Sequence, residues 1–273
     1  MVQHINDVEF TIFDTETTGL DPASGDRIVE IAAVRFKGSQ RLATFQKLVN
    51  PHHEISEAAY KVNRISAEML QDAPDMKTVM PEFLKFIKDS CLCSYNAGFD
   101  MEFLNNELTL LGRPHLEDIV VVDALKMSRR LLPGLERYAL WFVSDSLGIK
   151  TQQTHRAFSD VEMTLEVFSR LKTLLFSKGI SDFTNFSHLF TINPKLLEDI
   201  NAQKLAQIQE AIDLGVRIRI RYLPSTGGDL SEREIIPKEL KQDNKRDYLV
   251  GYCCLRCEER TFRLDGILHL EIL

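Results

Sequence analysis

Two acidic residues separated by one position, Asp14 and Glu16 in Phe13-Asp14-Thr15-Glu16, follow an alternating run that begins at Val8. On an extended chain, residues two apart project to the same side, so the two carboxylates would stand together at a strand end. Like charges that close repel, and a hard cation such as Mg²⁺, which takes carboxylate oxygen, relieves the repulsion. Taken alone, the pair reads as a solvated strand terminus; two later stretches change that. Asn96-Ala97-Gly98-Phe99-Asp100 puts an acid at the N-terminal end of a helix, where Asp100 could also serve simply as a favourable charge at the helix dipole. His155-Arg156-Ala157-Phe158-Ser159-Asp160 opens a helix that runs to about residue 175. Five residues on a helix turn through roughly 500°, so His155 and Asp160 diverge by some 140° if both are helical. To serve one site, His155 must lie in the loop before the helix, with Asp160 in its opening turns.

The elements that must position these side chains are readable from periodicity. Val8 to Asp14, Arg27 to Phe36 and Ala43 to Val49 predict three strands, the last two joined by a hairpin at Lys37-Gly38-Ser39-Gln40. After Pro51 the pattern turns helical: Ser56 and Ser66 suit N-caps, and Pro81 suits the start of a helix carrying Phe83, Leu84, Phe86 and Ile87. Cys91 to Tyr95 predicts a strand, Phe99 to Leu111 a helix, Ile119 to Val122 a strand, and Ala124 to Leu131 a helix capped by Asp123. Residues 181–193 are polar with scattered aromatics and predict a linker, followed by one helix over roughly Pro194 to Leu214. Beyond it, short β runs broken by Pro224, Gly227-Gly228, Pro237 and a charged turn at 256–260 predict a small β module. The expected organisation is therefore 1–180 for the first domain, 181–213 for linker and helix, and 214–273 for the module.

Composition sets the outer bounds. Of the 273 residues, 44% are apolar and 27% charged, the balance of a globular protein. Thirty-three basic against 40 acidic residues exclude a protein that coats nucleic acid by bulk charge, so any such contact must be local. Residues 214–273 hold 11 basic and 10 acidic residues, against 22 and 30 in the rest, which makes the module the better place for a polyanion. In Val216-Arg217-Ile218-Arg219-Ile220-Arg221-Tyr222, period two puts Arg217, Arg219 and Arg221 on one strand face and the apolar residues on the other. Three arginines so placed are a candidate substrate contact or merely a solvated face. The lack of a long apolar run or a signal-like start, with five cysteines in a chain that needs no staples, points to the cytoplasm, reduced thiols and no membrane partner. Cys254-x-x-Cys257 is a single pair at a strand end, read as a turn rather than a zinc site. Trp141, among Leu140, Phe142 and Val143, reads as core, and His52-His53 as a solvated loop.

FDTETTGL, NAGFD and HRAFSD resemble, in order, the three motifs of the DEDDh exonucleases, over residues from about 8 to 176. Leu48-Val49-Asn50-Pro51 and Ile65-Ser66-Ala67-Glu68-Met69 are similar to what that family carries between the first two motifs; Tyr95 stands where many members have His. The resemblance implies an α/β, RNase H-like mixed sheet with flanking helices. It also implies 3′→5′ hydrolysis of nucleic acid with a free 3′ end, DNA favoured over RNA. Asp14, Glu16, Asp100 and Asp160 would hold two Mg²⁺ or Mn²⁺ ions, and His155 would be the general base. Thr17, Thr18, Gly19 and Leu20 would touch the terminal nucleotide, with Asn96 and Phe99 on the substrate side. The tail resembles a WYL domain, through Ile220-Arg221-Tyr222, Ile236-Pro237, Tyr248-Leu249-Val250-Gly251-Tyr252 and Arg260-Thr261-Phe262-Arg263-Leu264-Asp265. This implies an SH3-like β module with a nucleotide or nucleic-acid ligand, although the family's naming tryptophan is Asp247 here and a frequent arginine is Gly266. A strand-end-binding regulator that does not cut is the rival reading; five intact catalytic positions weigh against it.

Overall fold

A computed structural model describes residues 3–150, 154–244 and 246–273. The first sheet is built from β1 (Glu9–Thr17), β2 (Ile28–Lys37), β3 (Gln40–Leu48), β4 (Cys91–Ser94) and β5 (Val121–Asp123), in the order β3-β2-β1-β4-β5. β1, β2 and β3 pair antiparallel, whereas β4 and β5 run parallel to β1. The sheet is thus mixed, and both faces are covered. Between its strands lie α1 (Glu57–Asn63), α2 (Ala67–Leu70), α3 (Met76–Ile87) and α4 (Ala97–Leu110), and α5 (Ala124–Leu131) follows β5 directly. After β5 and α5 come α6 (Leu140–Ser146), α7 (Ala157–Ser177), α8 (Phe183–Phe190) and α9 (Pro194–Leu214).

Period two along β1 divides the core. Phe10 and Ile12 face a cluster with Val161, Val167, Phe168 and Leu171 of α7, and Phe13 faces the other side with Phe83 of α3 and Phe103 of α4. Asp14 and Glu16 continue the row of Phe10 and Ile12, so they emerge on the α7 side.

Four local expectations are corrected. Residues 181–193 are not an extended linker: Asp182 caps α8 by accepting from the Asn185 amide at 2.8 Å. Phe186, Leu189 and Phe190 are fully buried there, a three-to-four spacing that the polar residues between them obscure. α3 starts five residues before Pro81, at Met76, capped by Asp75, whose carboxylate accepts from the Thr78 amide at 2.9 Å. Pro81 removes one helical donor, and burial of Met76, Val79, Met80, Phe83 and Ile87 outweighs that loss. Trp141 is 48% exposed, because α6 turns Leu140 and Val143 inward instead. Pro237 does not end a strand; a register shift between Pro237 and Glu239 lets one long strand pass through it.

That strand, β7 (Ser231–Asp243), belongs to a second, antiparallel sheet with β6 (Ile218–Tyr222), β8 (Arg246–Cys253), β9 (Glu258–Arg263) and β10 (Ile267–Ile272). Its order is β10-β6-β7-β8-β9. β10 was not expected from the sequence; its burial pattern alternates only weakly. Ile208 and Ala211 of α9 are buried in the core of this sheet, so the packed unit reaches back past residue 214. The two halves of the chain touch: Leu223 and Leu268 sit in the first core, and Arg130 of α5 binds Asp265 through both its backbone carbonyl and its carboxylate, each at 3.1 Å.

Candidate active site

Strand β1 and helix α7 converge on three carboxylates. Oxygens of Asp14, Glu16 and Asp160 lie within 4.8 Å of one another, with Asp160 buried and the other two half-buried. The fourth expected carboxylate, Asp100, stands just behind them on the opposite layer. It is buried; its Oδ1 accepts from the Thr15 amide at 3.0 Å and the Thr15 hydroxyl at 2.8 Å, and its Oδ2 from the Ser94 hydroxyl at 2.5 Å. Asp100 therefore reaches the cluster as a fixed charge, tied to the strand residue between Asp14 and Glu16.

The electrostatics follow from that crowding. Burial, then the charges of Asp100, Glu16 and Asp160, hold Asp14 well above the usual carboxylate range. Burial, followed by Asp160, Glu30 and Asp100, pushes Glu16 up to about 8, against a hydrogen bond from Asn63 that works the other way. Asp100 is lifted to about 6 by burial, while Ser94 and Thr15 oppose the rise. An all-oxygen donor set that resists ionising together is what a hard divalent cation stabilises.

His155 lies ahead of α7 in a left-handed conformation (φ 51°), as required for it to share a site with Asp160 in the first turn. Its Nδ1 is 4.0 Å from Asp160 Oδ2, and the ring is about half exposed. A buried carboxylate on β2 sets this corner. Glu30 accepts from Arg156 Nε and Nη2, both at 3.0 Å, from the Ala157 amide at 3.1 Å and from Gln46 at 3.0 Å. It thus grips the start of α7 between the histidine and the aspartate.

The turn after β1 is equally built. Thr17 and Thr18 are buried; the Thr18 hydroxyl donates to Asp26 at 3.0 Å and accepts from the Arg27 amide at 3.0 Å. A Cβ on Gly19 would stand 2.2 Å from the Asp26 carboxylate, so a larger residue there would displace Asp26 from Thr18. The turn leaves Leu20 83% exposed, an apolar tip beside the acidic cluster. Asn96, also left-handed (φ 69°), is exposed at the start of α4, and Phe99 leans on Phe103 with ring centroids 4.9 Å apart.

The arginine face of the module is placed differently. Arg219 is held by Glu232, Glu234 and Glu271 at 3.4, 3.2 and 3.2 Å, Arg217 lies 3.9 Å from Glu234, and Arg221 is in register with Glu232. Because β6 is an inner strand, its neighbours β7 and β10 supply the balancing glutamates.

Residues 11–168 match the exonuclease (RNase_T) family, and residues 203–272 match the WYL domain. The DNA polymerase III subunit epsilon of Treponema pallidum is 37% identical over 205 residues, which cover 74% of this chain and 94% of that one. The chain belongs to the exonuclease family. The DNA polymerase III PolC-type of Caldanaerobacter subterraneus subsp. tengcongensis is 31% identical over 252 residues, 90% of this chain; the match spans only 17% of that relative's length. Among solved structures, exonuclease X in complex with 5′ overhanging duplex DNA superposes with a TM-score of 0.51 at 25% identity, covering 63% of this chain and 95% of that one. The α/β fold expected from the motifs is the fold found, and membership of this family implies divalent metal ions at the acidic cluster. No helix among the described residues is long and apolar enough to cross a membrane.

Four functional-site residues carry no signal in the sequence. Thr15, Glu30 and Asn63 each act through a partner distant in the chain, and Ser94 through Asp100 six residues on. Asn63, buried at the end of α1, hydrogen-bonds Glu16 and donates to the Thr17 carbonyl at 3.3 Å.

Proposed function

We propose that this chain is a 3′→5′ exonuclease that releases nucleotides from the 3′ end of nucleic acid, DNA in preference to RNA. The observation that carries this reading is the convergence of Asp14, Glu16 and Asp160 within 4.8 Å, with His155 poised 4.0 Å from Asp160. The names of the relatives, DNA polymerase III PolC-type and DNA polymerase III subunit epsilon, support DNA as the substrate.

Asp14, Glu16 and Asp160, backed by Asp100, would hold two Mg²⁺ or Mn²⁺ ions. Such ions activate the attacking water and stabilise the departing 3′ oxygen. The chain itself does the rest. His155, exposed and set beside Asp160, takes the proton from the water. Glu30 and Arg156 fix the backbone that carries it. The Thr17–Leu20 turn receives the terminal nucleotide, with Leu20 packing on its base. Asn96 and Phe99 line the approach from α4. The five free cysteines agree with a reducing, cytoplasmic setting. The balanced pairing of Arg217, Arg219 and Arg221 favours a role inside the sheet rather than on substrate.

Incubation with 3′- and 5′-end-labelled DNA and RNA oligonucleotides tests this. Stepwise shortening from the 3′ end with Mg²⁺ or Mn²⁺, its arrest in excess chelator and its absence in Asp14→Asn are expected. Binding of the strand end with no shortening in either metal would overturn the reading in favour of a non-cutting regulator.

A further inference from the structure

Trp141 is the only tryptophan of the chain, and it stands 48% exposed on α6 while Leu140 and Val143 turn inward. So large an apolar ring contributes most when it is covered, which makes an open one a surface for a partner. The indole and the Phe142 ring meet edge to face at 5.5 Å between centroids, and the Arg137 guanidinium lies over that same phenylalanine, 6.0 Å from its centre. Arg137 is more than half exposed, and its pairing with Glu136 at 3.1 Å is a surface contact that a phosphate can displace. The three side chains form one continuous patch, apolar and cationic.

The patch is tied to the catalytic edge of the first sheet. In the parallel pairing of β1 with β4, Ile12 stands opposite Cys93, and two residues further along each chain come Asp14 and Tyr95. Tyr95 packs on the core that α7 covers, so period two places it on the same face as Asp14, one strand spacing of about 4.8 Å away. Its hydroxyl donates to the Tyr138 carbonyl at 2.8 Å, which fixes the start of α6 beside that edge. Arg129, exposed on α5, is close enough to act on the same tyrosine. From Ala124 to Trp141 the chain carries four basic residues and one acidic, against a net charge of -7 for the whole. Lys126 and Arg130 are taken up elsewhere, by the Thr191 carbonyl at 3.0 Å and by Asp265 at 3.1 Å, which leaves Arg129 and Arg137 open to solvent. Asp123 accepts from the Asn96 and Leu125 amides, and Asp145 lies one turn of α6 beyond Trp141. We propose that Trp141 on α6, with Arg137 ahead of it and Arg129 of α5, holds the strand on the 5′ side of the terminal nucleotide: an unpaired base stacks on the indole, and the two guanidiniums meet the phosphates that flank it. The proposal rests on the exonuclease reading given above. A base stacked on a side chain has left its duplex, so the platform selects a single-stranded 3′ segment.

Because the indole is alone in the chain, its fluorescence reports this one position in the unaltered protein. An oligothymidylate titrated into the full chain in EDTA, where no turnover occurs, should quench the emission in a saturable way, and a blunt duplex should not. Trp141→Ala should weaken strand binding, followed by the anisotropy of a 5′-labelled oligothymidylate, by about 5- to 140-fold, the roughly 1–3 kcal/mol of one base on one aromatic ring; Trp141→Phe should recover part of that. With Mg²⁺ present the loss should appear in KM and not in kcat. Replacing Arg129 and Arg137 together by Gln should flatten the slope of log affinity against log salt by about 1.4, at about 0.7 for each phosphate contact on a single strand. An oligothymidylate that leaves the emission unchanged, or an unchanged KM in Trp141→Ala, overturns the platform and leaves the nuclease reading standing. Equal quenching by a blunt duplex overturns the selection of a single strand. Quenching by a strand that is never shortened in Mg²⁺ or Mn²⁺ supports the platform and overturns the nuclease reading instead.

Discussion

At the scale of single residues, the site is a balance of repulsions that the free protein holds at a cost. A carboxyl whose folded pKa stands above its unfolded value takes up a proton on folding, so stability falls as pH rises from the unfolded value through the folded one. For Glu16 that window runs from 4.5 to about 8, and Asp14 acts in the same direction. In EDTA, Asp14→Asn should therefore melt higher than the wild type at pH 8. A relief of 1 kcal/mol moves the midpoint by about 2–4 °C, and the gap should close toward pH 5. Equal melting curves at both pH values would show that the cluster is not strained. His155→Ala should lower turnover by roughly 10²–10⁴-fold and remove the acid limb of the pH–rate profile, leaving metal affinity largely intact. An unchanged profile would assign the base elsewhere. Asp14, Glu16, Asp100, His155 and Asp160 stood out through the resemblance of their three motifs to the DEDDh exonucleases, since two acids spaced by two on a strand fit a solvated strand end equally well. Glu30 and Asn63 did not, since a buried glutamate or asparagine gains its meaning only from the arginine or glutamate that the fold brings to it.

At the scale of elements, what matters is how strand ends and helix starts are fastened. Glu30 links β2 to the start of α7 through three hydrogen bonds, and a fourth comes from Gln46 of β3. Glu30→Gln leaves Arg156 without its counter-charge, a loss smaller than the roughly 3–5 kcal/mol of a fully buried pair broken on one side, because a third of the Arg156 side chain is exposed to solvent. As a positioning residue it should also reduce kcat, by about 10²-fold if the histidine shifts by an ångström, with KM little changed. Glu30→Asp should recover part of kcat; if stability drops while kcat and the pH profile stay put, the role is structural only. The strands and long helices of the first sheet were legible because their apolar periods are strong. α8 was hidden by Ser and Thr between its phenylalanines. Proline was overread twice, at Pro81 and Pro237, where packing on both sides outweighs one missing donor.

Across the whole molecule, the halves are joined by a seam rich in positive charge. Asp265 sits among Arg130, Arg263, Lys126 and Lys204. Burial works to raise its pKa, and the two arginines overcome that and hold it below the ordinary value. Burial lowers Lys204 to about 8, with Asp265 opposing, while its amine donates to the Leu264 carbonyl at 3.2 Å. Stability from Asp265 is present above its unfolded value near 3.8 and is lost as pH falls through the lower folded one. Asp265→Asn should cost toward the lower end of about 3–5 kcal/mol at neutral pH, since a quarter of the side chain stays exposed, and the difference should shrink as pH falls below 3.8 through the lower folded value. Thermal melts of the two proteins across that range check it; a constant difference would mean that the carboxylate's charge is not what holds the seam.

Leu223 and Leu268 complete a hydrophobic cluster that otherwise belongs to the nuclease half. Chains cut after α8 would carry the whole acidic cluster and His155 and yet present an oily scar where those two leucines had been, so they would be prone to self-association when expressed alone.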